Sequence, residues 1–130
     1  MGALAQWEPR VLSILRIVSG LIFLLHGTQK HFGIPPTDRV VEAFSLPWIA
    51  GAIEIICGVL LIVGFQTRAA ALLASGTMAF AYFIAHAPRD VFPTNNGGDA
   101  AILYCFIFLY LVFAGGGSWS LDALRKSRNG

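Results

Sequence analysis

Charged residues are scarce in this sequence. Only 12% of its 130 residues are Asp, Glu, Lys or Arg, whereas 56% are hydrophobic and the mean hydropathy is +0.70. A soluble domain of this length needs far fewer apolar residues to fill one core. The composition therefore excludes an ordinary soluble domain and predicts a membrane protein with the lipid bilayer as its main partner.

Other absences exclude further classes. The basic residues are scattered and the net charge is only +2, so nucleic acid is not expected as a partner. The two cysteines, Cys57 and Cys105, form no Cys-x-x-Cys pair, and we expect them to pack between helices. No metal-ligand spacing signature is present, and no metal site is predicted. The chain is also too short for the eight or more alternating strands of a membrane barrel.

What the sequence does contain is long apolar runs. Each is close to the roughly 20 residues that cross the bilayer as a helix. Arg16 interrupts the first run and no clear Ala-x-Ala site follows it, so we interpret that run as a true span and not a signal peptide. We predict an all-α protein, an antiparallel four-transmembrane-helix bundle that forms a single domain over residues 1–130. Its spans are expected at 11–27, 48–65, 69–87 and 99–114.

The distribution of Lys and Arg predicts the orientation. Basic residues are retained on the cytoplasmic side, and an even number of spans places both termini together. We expect a multi-pass protein of the inner (plasma) membrane with both termini in the cytoplasm. The basic residues on that side are Arg10, Arg68, Arg125, Lys126 and Arg128, against Lys30, Arg39 and Arg89 on the other.

Glu54 is the most informative single residue, because it stands in the apolar stretch "GAIEIICGVLLIVGF". A carboxylate within a span costs about 2.5–3.5 kcal/mol on insertion scales, so it usually pairs or serves a function. Gly51 and Gly58 share its helical face and should let a neighbouring helix come close. By depth, His26, His86 and Asp99 lie level with Glu54, and we expect His26, His86 or Asn96 to be its partner.

The opposite end and the connections carry weaker signals. Arg16, Arg68 and Asp122 predict a cytoplasmic Arg–Asp cluster. The stretch "GFQTR" predicts a tight turn between spans two and three. Val40, Val41 and Phe44 sit at helical spacing, which predicts a short interfacial helix in the first loop.

The ordered set of motifs resembles the DoxX family of small four-helix membrane proteins. The motifs are "LRIVSGLIFLLHGTQKHFG", "GAIEIICGVLLIVGFQTRAAAL", "AHAP", "NNGGDAAILY" and "GGGSWSLD", and they extend from Leu15 to Asp122. The resemblance maps recurring polar positions onto Arg16, His26, Gly27, Lys30, Glu54, Arg68, His86, Asn96, Gly97, Gly98, Ser120, Leu121 and Asp122. Asp99 departs from the pattern, since many relatives have a bulkier residue or Glu there.

The resemblance implies a membrane redox subunit, because family members are similar to subunits of thiosulfate:quinone oxidoreductase. Under this hypothesis a quinone or another small redox molecule binds between the outer polar residues. Glu54 and His86 exchange protons with it, a role suited to a buried acid beside a near-neutral titrating group. His26, Lys30, Asn96 and Asp99 bind and orient it. A haem or metal site is a weaker variant of the same hypothesis.

Two other functions stay open. The glycine-rich faces suit an accessory or scaffold subunit that stabilises a larger membrane complex without chemistry of its own. Under either hypothesis the expected partners are other membrane or peripheral redox subunits, or further copies of this chain. Small-solute transport is disfavoured, because the four short spans show no repeat with broken helices.

Overall fold

The fold is helical throughout the part of the chain that the computed structural model describes, residues 2–130. Its helices are α1 (Gly2–Ala5), α2 (Glu8–Phe32), α3 (Leu46–Val63), α4 (Thr67–Ala81), α5 (Pro93–Asn96), α6 (Asp99–Ala114) and α7 (Leu121–Arg128). A π-helical turn, Tyr82–His86, extends α4. The predicted all-α class is confirmed.

Three of the helices are long and apolar enough to cross a membrane: α2, α3, and α4 together with its π-helical turn. The fourth apolar helix, α6, has 16 residues and extends about 24 Å at 1.5 Å per residue. The helices match the four predicted spans, although α2 begins three residues earlier and ends five residues later than expected.

The four apolar helices form one antiparallel bundle. Helix α2 packs mainly on α3, α4 packs mainly on α6, and α3 joins the two pairs through α4. Phe23, Leu61, Phe108 and Leu111 lie fully buried where the helices meet. The outward faces are covered with exposed Leu, Ile, Val and Phe side chains, which only an apolar surrounding such as lipid can solvate well.

The two ends of the bundle differ. The loop end carries the α2–α3 and α4–α6 connections, and the termini end carries the start of α2, the α3–α4 turn and α7. The α3–α4 turn is only residues 64–66, so the predicted tight turn is confirmed; Gly64 supplies its left-handed backbone at φ 69°. The predicted interfacial helix around Val40 and Phe44 is wrong, since residues 33–45 form no helix.

Helices α2 and α3 approach each other at their glycines. A Cβ atom on Gly27 would lie 2.7 Å from the Gly51 carbonyl oxygen, and one on Gly58 would lie 2.9 Å from the Leu24 Cα. Such distances leave no room for any side chain. The expectation that glycines on the Glu54 face let a neighbouring helix come close is therefore confirmed, and the neighbour is α2.

Candidate functional site

The buried acid Glu54 forms an ion pair with Lys30. Lys30 Nζ donates to Glu54 Oε1 at 2.7 Å, from the last turns of α2 to the first half of α3. The Glu54 side chain is 2% exposed and that of Lys30 is 28% exposed. The close α2–α3 crossing brings the two together, because Gly27 lies one turn before Lys30 and Gly51 one turn before Glu54.

The second oxygen of the carboxylate is unsatisfied. Glu54 Oε2 is buried and has no hydrogen-bond partner among the described residues. A buried acceptor without a donor costs on the order of 1–3 kcal/mol, and more when it is charged. Lys30, by contrast, keeps spare N–H donors near the surface. The pair thus offers one free acceptor and one donor group, a set that fits a polar headgroup bearing hydroxyl or carbonyl oxygens.

Two aromatic residues border the pair at the loop end. His31 Nε2 donates to the Trp48 carbonyl at 2.8 Å, and the two rings lie 4.7 Å apart. The position of Gly51 against the His31 ring holds this contact in place. His31 was not among the sequence-predicted site residues. The sequence feature that could have indicated His31 is its position next to Lys30, on the turn of α2 that faces α3.

His26 lies one turn before Lys30, close to the same face of α2. Its ring meets Tyr104 of α6 edge to face, with the ring centroids 6.0 Å apart. Tyr104 stacks on Phe108, and Phe108 in turn packs on Phe23. His26 is itself exposed at the bundle surface, so it joins an aromatic layer between α2 and α6 and forms no hydrogen bond to Glu54.

His86 and Asn96 form a cluster of their own. His86 Nδ1 donates to the Asn96 carbonyl at 3.1 Å, and buried Asn96 donates from Nδ2 to the Tyr82 hydroxyl and the Asp90 carbonyl. The expectation that His26, His86 or Asn96 is the partner of Glu54 is therefore wrong. Lys30 takes that place, because the α2–α3 crossing, and not depth alone, decides which side chains meet.

The π-helical turn shapes this second cluster. The Ala87 N–H bonds to the Tyr82 carbonyl five residues back, which inserts one extra residue into the last turn. Gly98 packs against both Tyr82 and His86 and lets the start of α6 come close. A neutral His86 that donates from Nδ1 has its acceptor at Nε2.

Asp99 stands outside both groups. It is exposed as the first residue of α6, and its Oδ1 accepts from the Ala100 N–H at 3.0 Å. An acid at this position stabilises the helix N-terminus. The structure does not bring Asp99 to Glu54 or to His86.

At the termini end Arg16 is completely buried. Its guanidinium donates to four backbone carbonyls and, in the described part of the chain, to no carboxylate. They belong to Leu61 (2.7 Å), Ile62 (3.4 Å), Gly116 and Trp119 (2.7 Å). Leu61 and Ile62 are in the last turn of α3, where carbonyls lack helical partners and carry partial negative charge. Arg16 therefore closes the end of α3 and ties it to the loop before α7.

The predicted pairing of Arg16 and Arg68 with Asp122 is therefore wrong. Asp122 accepts from the Gln66 and Thr67 N–H groups, each at 2.9 Å, and so caps the start of α4. Arg68 donates to the Val112 and Phe113 carbonyls at the end of α6. Both arginines bind helix ends, because the carbonyls there lack helical partners and carry partial negative charge.

Ser13 was missed by the sequence reasoning. Its hydroxyl donates to the Gly116 carbonyl at 3.2 Å and accepts from the Trp119 N–H at 3.0 Å. A serine three residues before a buried arginine, on the same helical face, was the available signal.

The contribution of the Asp122 carboxylate to stability can be tested by measuring unfolding at different pH values. Burial would raise the pKa of its carboxyl, but hydrogen bonds from Thr67 and Gln66 and the charge of Arg125 lower that pKa below its usual range. A carboxyl with a lowered folded-state pKa stabilises the fold above its unfolded-state pKa of about 3.9 and ceases to do so as the pH falls through the folded value. We expect Asp122→Asn to destabilise the protein by about 1 kcal/mol at pH 7.

The difference between wild type and Asp122→Asn should narrow as the pH falls below about 4, where the unfolded chain takes up a proton at Asp122 before the folded protein does. Thermal unfolding in mild detergent at several pH values measures it. Asp38→Asn, which changes an exposed loop acid, serves as the control. A difference that is the same at pH 3 and pH 7 would contradict the role given to the charged carboxylate.

The described part of the chain contains no cluster of side chains suited to bind a metal ion. Across residues 2–130, no group of three His, Cys, Asp or Glu side chains is arranged to hold a metal ion.

A family model described as DoxX matches residues 11–87, more than half of the chain. This chain belongs to the DoxX family. A Haemophilus influenzae relative described as "Uncharacterized protein" is 42% identical over 94% of this chain and 96% of its own length. "Uncharacterized membrane protein Rv3486" of Mycobacterium tuberculosis is 29% identical over 95% of this chain and 86% of its own. No solved structure matches this DoxX chain.

One further relative of this DoxX protein carries a functional name. "Putative oxidoreductase CatD" of Bacillus subtilis is 35% identical, over 50% of this chain and 52% of its own length. The likeness thus concerns about half of each protein.

Proposed function

We propose that this DoxX protein is a redox-associated membrane subunit that binds the headgroup of a quinone, or of a similar small redox molecule, at the Lys30–Glu54 pair. The observation that carries the proposal is Glu54 Oε2, a buried carboxylate oxygen inside an apolar bundle that has no donor within residues 2–130. Ionisable groups within spans are costly and usually serve a function. The oxidoreductase name of the CatD relative supports the same class of activity.

The residues of the pair have complementary roles. Glu54 Oε2 would accept a hydrogen bond from a hydroxyl of the reduced (quinol) headgroup, and it would take up the proton of that hydroxyl when the headgroup gives its electrons to a partner redox subunit. Lys30 holds Oε1 at 2.7 Å, keeps the carboxylate in place and can donate to a headgroup carbonyl. A bound quinone would supply the electron-transfer chemistry itself. The partial exposure of Lys30 gives the proton a route from the buried acid to water.

His86 serves the proposal from a second position. With Nδ1 bonded to Asn96, its Nε2 is the acceptor of a neutral imidazole and can relay protons at the loop end. His26 beside Tyr104 contributes an aromatic wall between α2 and α6. Asp99 is not part of the proposed binding site, because it lies exposed at the start of α6.

Replacement of Glu54 tests the proposal. Glu54→Gln keeps the size and one acceptor of the side chain but removes its charge. Decylubiquinone and decylubiquinol are titrated into the detergent-purified protein and followed by tryptophan fluorescence. We expect wild type to bind at least one of them and the variant to bind roughly 10- to 100-fold more weakly, since a hydrogen bond to a charged group is worth about 1.5–3 kcal/mol.

Glu42→Gln is the matched control, because Glu42 is an exposed acid at the same end of the bundle. Its affinity should equal that of wild type. A wild-type protein that binds neither compound contradicts the proposal.

The scaffold function is the second candidate, favoured by the unbroken apolar faces of the bundle. It predicts a different result for Glu54→Gln. If the variant leaves quinone affinity unchanged but lowers the amount of protein or of associated subunits in the membrane, the Lys30–Glu54 pair is structural and the scaffold function is correct.

The proposal includes an orientation. Six basic residues lie at the termini end and three at the loop end, and this excess of Lys and Arg favours cytoplasmic termini in the inner membrane. The Lys30–Glu54 pair would then face the outer side.

A further inference from the structure

The charges of this protein are sorted between the two ends of the bundle. The termini end holds six basic residues, Arg10, Arg16, Arg68, Arg125, Lys126 and Arg128, with only two acids, Glu8 and Asp122. Arg16 is buried and Asp122 is bonded to the α4 N-terminus, so the exposed surface at this end is basic. The loop end holds three basic residues and five acids. An anionic ligand is therefore attracted to one end only.

Helix α7 concentrates this charge beside apolar side chains. At about 100° per residue, Leu121, Leu124, Arg125 and Arg128 share one face of the helix within roughly 100°. Leu124 is 61% exposed and Trp119, just before the helix, is 52% exposed. Only residues 115–120 separate α7 from the apolar helix α6. Exposed leucine and tryptophan side chains next to arginines are typical of a helix that lies at the boundary between the acyl chains and the headgroups.

A cavity lies between α7 and the α3–α4 turn. It has a volume of about 300 Å³ and is lined by Gln66, Asp122, Arg125, Lys126 and Asn129. Its two basic side chains and two amides are donors suited to phosphate oxygens. The Asp122 carboxylate, which also lines the cavity, already accepts hydrogen bonds from the Gln66 and Thr67 N–H groups. Arg125 also lies over the Phe65 ring, 5.9 Å from its centroid, which holds the guanidinium at the edge of the cavity.

We propose that α7 and this cavity bind the phosphate headgroup of an anionic phospholipid. Arg125 and Lys126 bind the phosphate, Arg128 adds to the attraction, and Leu121, Leu124 and Trp119 lie among the acyl chains. The inference is independent of the quinone proposal, because it concerns the opposite end of the bundle.

The test uses the full chain in mild detergent with short-chain lipids. Dioctanoyl phosphatidylglycerol, dioctanoyl phosphatidylcholine and inorganic phosphate are titrated separately, and native mass spectrometry counts the lipid adducts. We expect phosphatidylglycerol to bind more tightly than phosphatidylcholine, and the preference to weaken at high salt. Arg125→Gln/Lys126→Gln should reduce phosphatidylglycerol affinity roughly 20- to 30-fold, at about fivefold for each basic residue.

Arg39→Gln/Arg89→Gln is the matched control, since it removes two exposed basic residues from the loop end. It should leave phosphatidylglycerol affinity unchanged. Equal affinity for the two lipids, binding of inorganic phosphate as tight as that of phosphatidylglycerol, or an equal loss in both double variants would each overturn the inference. The inference would also be overturned if the basic surface bound a soluble acidic protein but no anionic lipid.

Discussion

Arg16→Met is expected to remove a large part of the stability of the bundle. The substitution leaves the carbonyls of Leu61, Ile62, Gly116 and Trp119 without their donor in a buried place. Disrupting a buried charged network in this way costs about 3–5 kcal/mol, a large part of the 5–15 kcal/mol that stabilises a typical domain. Arg16→Lys should be intermediate, because an ammonium group cannot reach four carbonyls in a planar fork.

The measurement is the thermal unfolding midpoint in mild detergent, together with the amount of protein in the membrane. Arg10→Met is the matched control, since Arg10 is an exposed arginine on the same helix that lies over Trp7. It removes the same charge from the same end. If Arg16→Met and Arg10→Met unfold at the same temperature, the guanidinium does not hold α3 to the loop before α7.

Gly27→Ala is expected to separate α2 from α3. The added Cβ would lie 2.7 Å from the Gly51 carbonyl oxygen and 2.9 Å from the Ile55 backbone nitrogen. Backbone atoms cannot rotate away as a side chain can, so the helices must shift, at a cost of about 1–3 kcal/mol. The shift also lengthens the Lys30–Glu54 contact one turn further along. We therefore expect a lower unfolding temperature together with weaker decylubiquinol binding.

Gly76→Ala is the control for this change. Gly76 is also helical, but nothing lies within 4 Å of the place its Cβ would take. The same added methyl group should be neutral there, or slightly stabilising through helix propensity. Equal unfolding temperatures for Gly27→Ala and Gly76→Ala would show that the α2–α3 crossing tolerates a wider separation.

Structural features that depend on the pattern of neighbouring residues could be predicted from the sequence. Hydropathy over about 20 residues located the apolar helices, because the cost of placing polar residues in lipid acts on each segment separately. Helical period placed Gly51, Glu54 and Gly58 on one face and so predicted that a neighbouring helix comes close there. The ordered motifs also indicate the DoxX family, because they are carried by consecutive residues.

The partners of the polar side chains could not be predicted in the same way. Depth placed Glu54 level with two histidines, but a shared level does not decide which faces meet. The register of α2 against α3 brings Lys30 to Glu54, while the extra residue of the π-helical turn places His86 against Asn96. Neither the register of α2 against α3 nor the extra residue of the π-helical turn can be recognised from the residue pattern of one helix.

By itself the sequence determined the helices, their order and the face that carries the buried acid, because these follow from the chemistry of consecutive residues. Only the tertiary structure decided that Lys30 pairs with Glu54, that Oε2 has no donor among the residues that the structure describes, and that Arg16 binds carbonyls instead of Asp122. The physical reason is that such contacts depend on the rotation and offset of packed helices, which residues far apart in the chain set together.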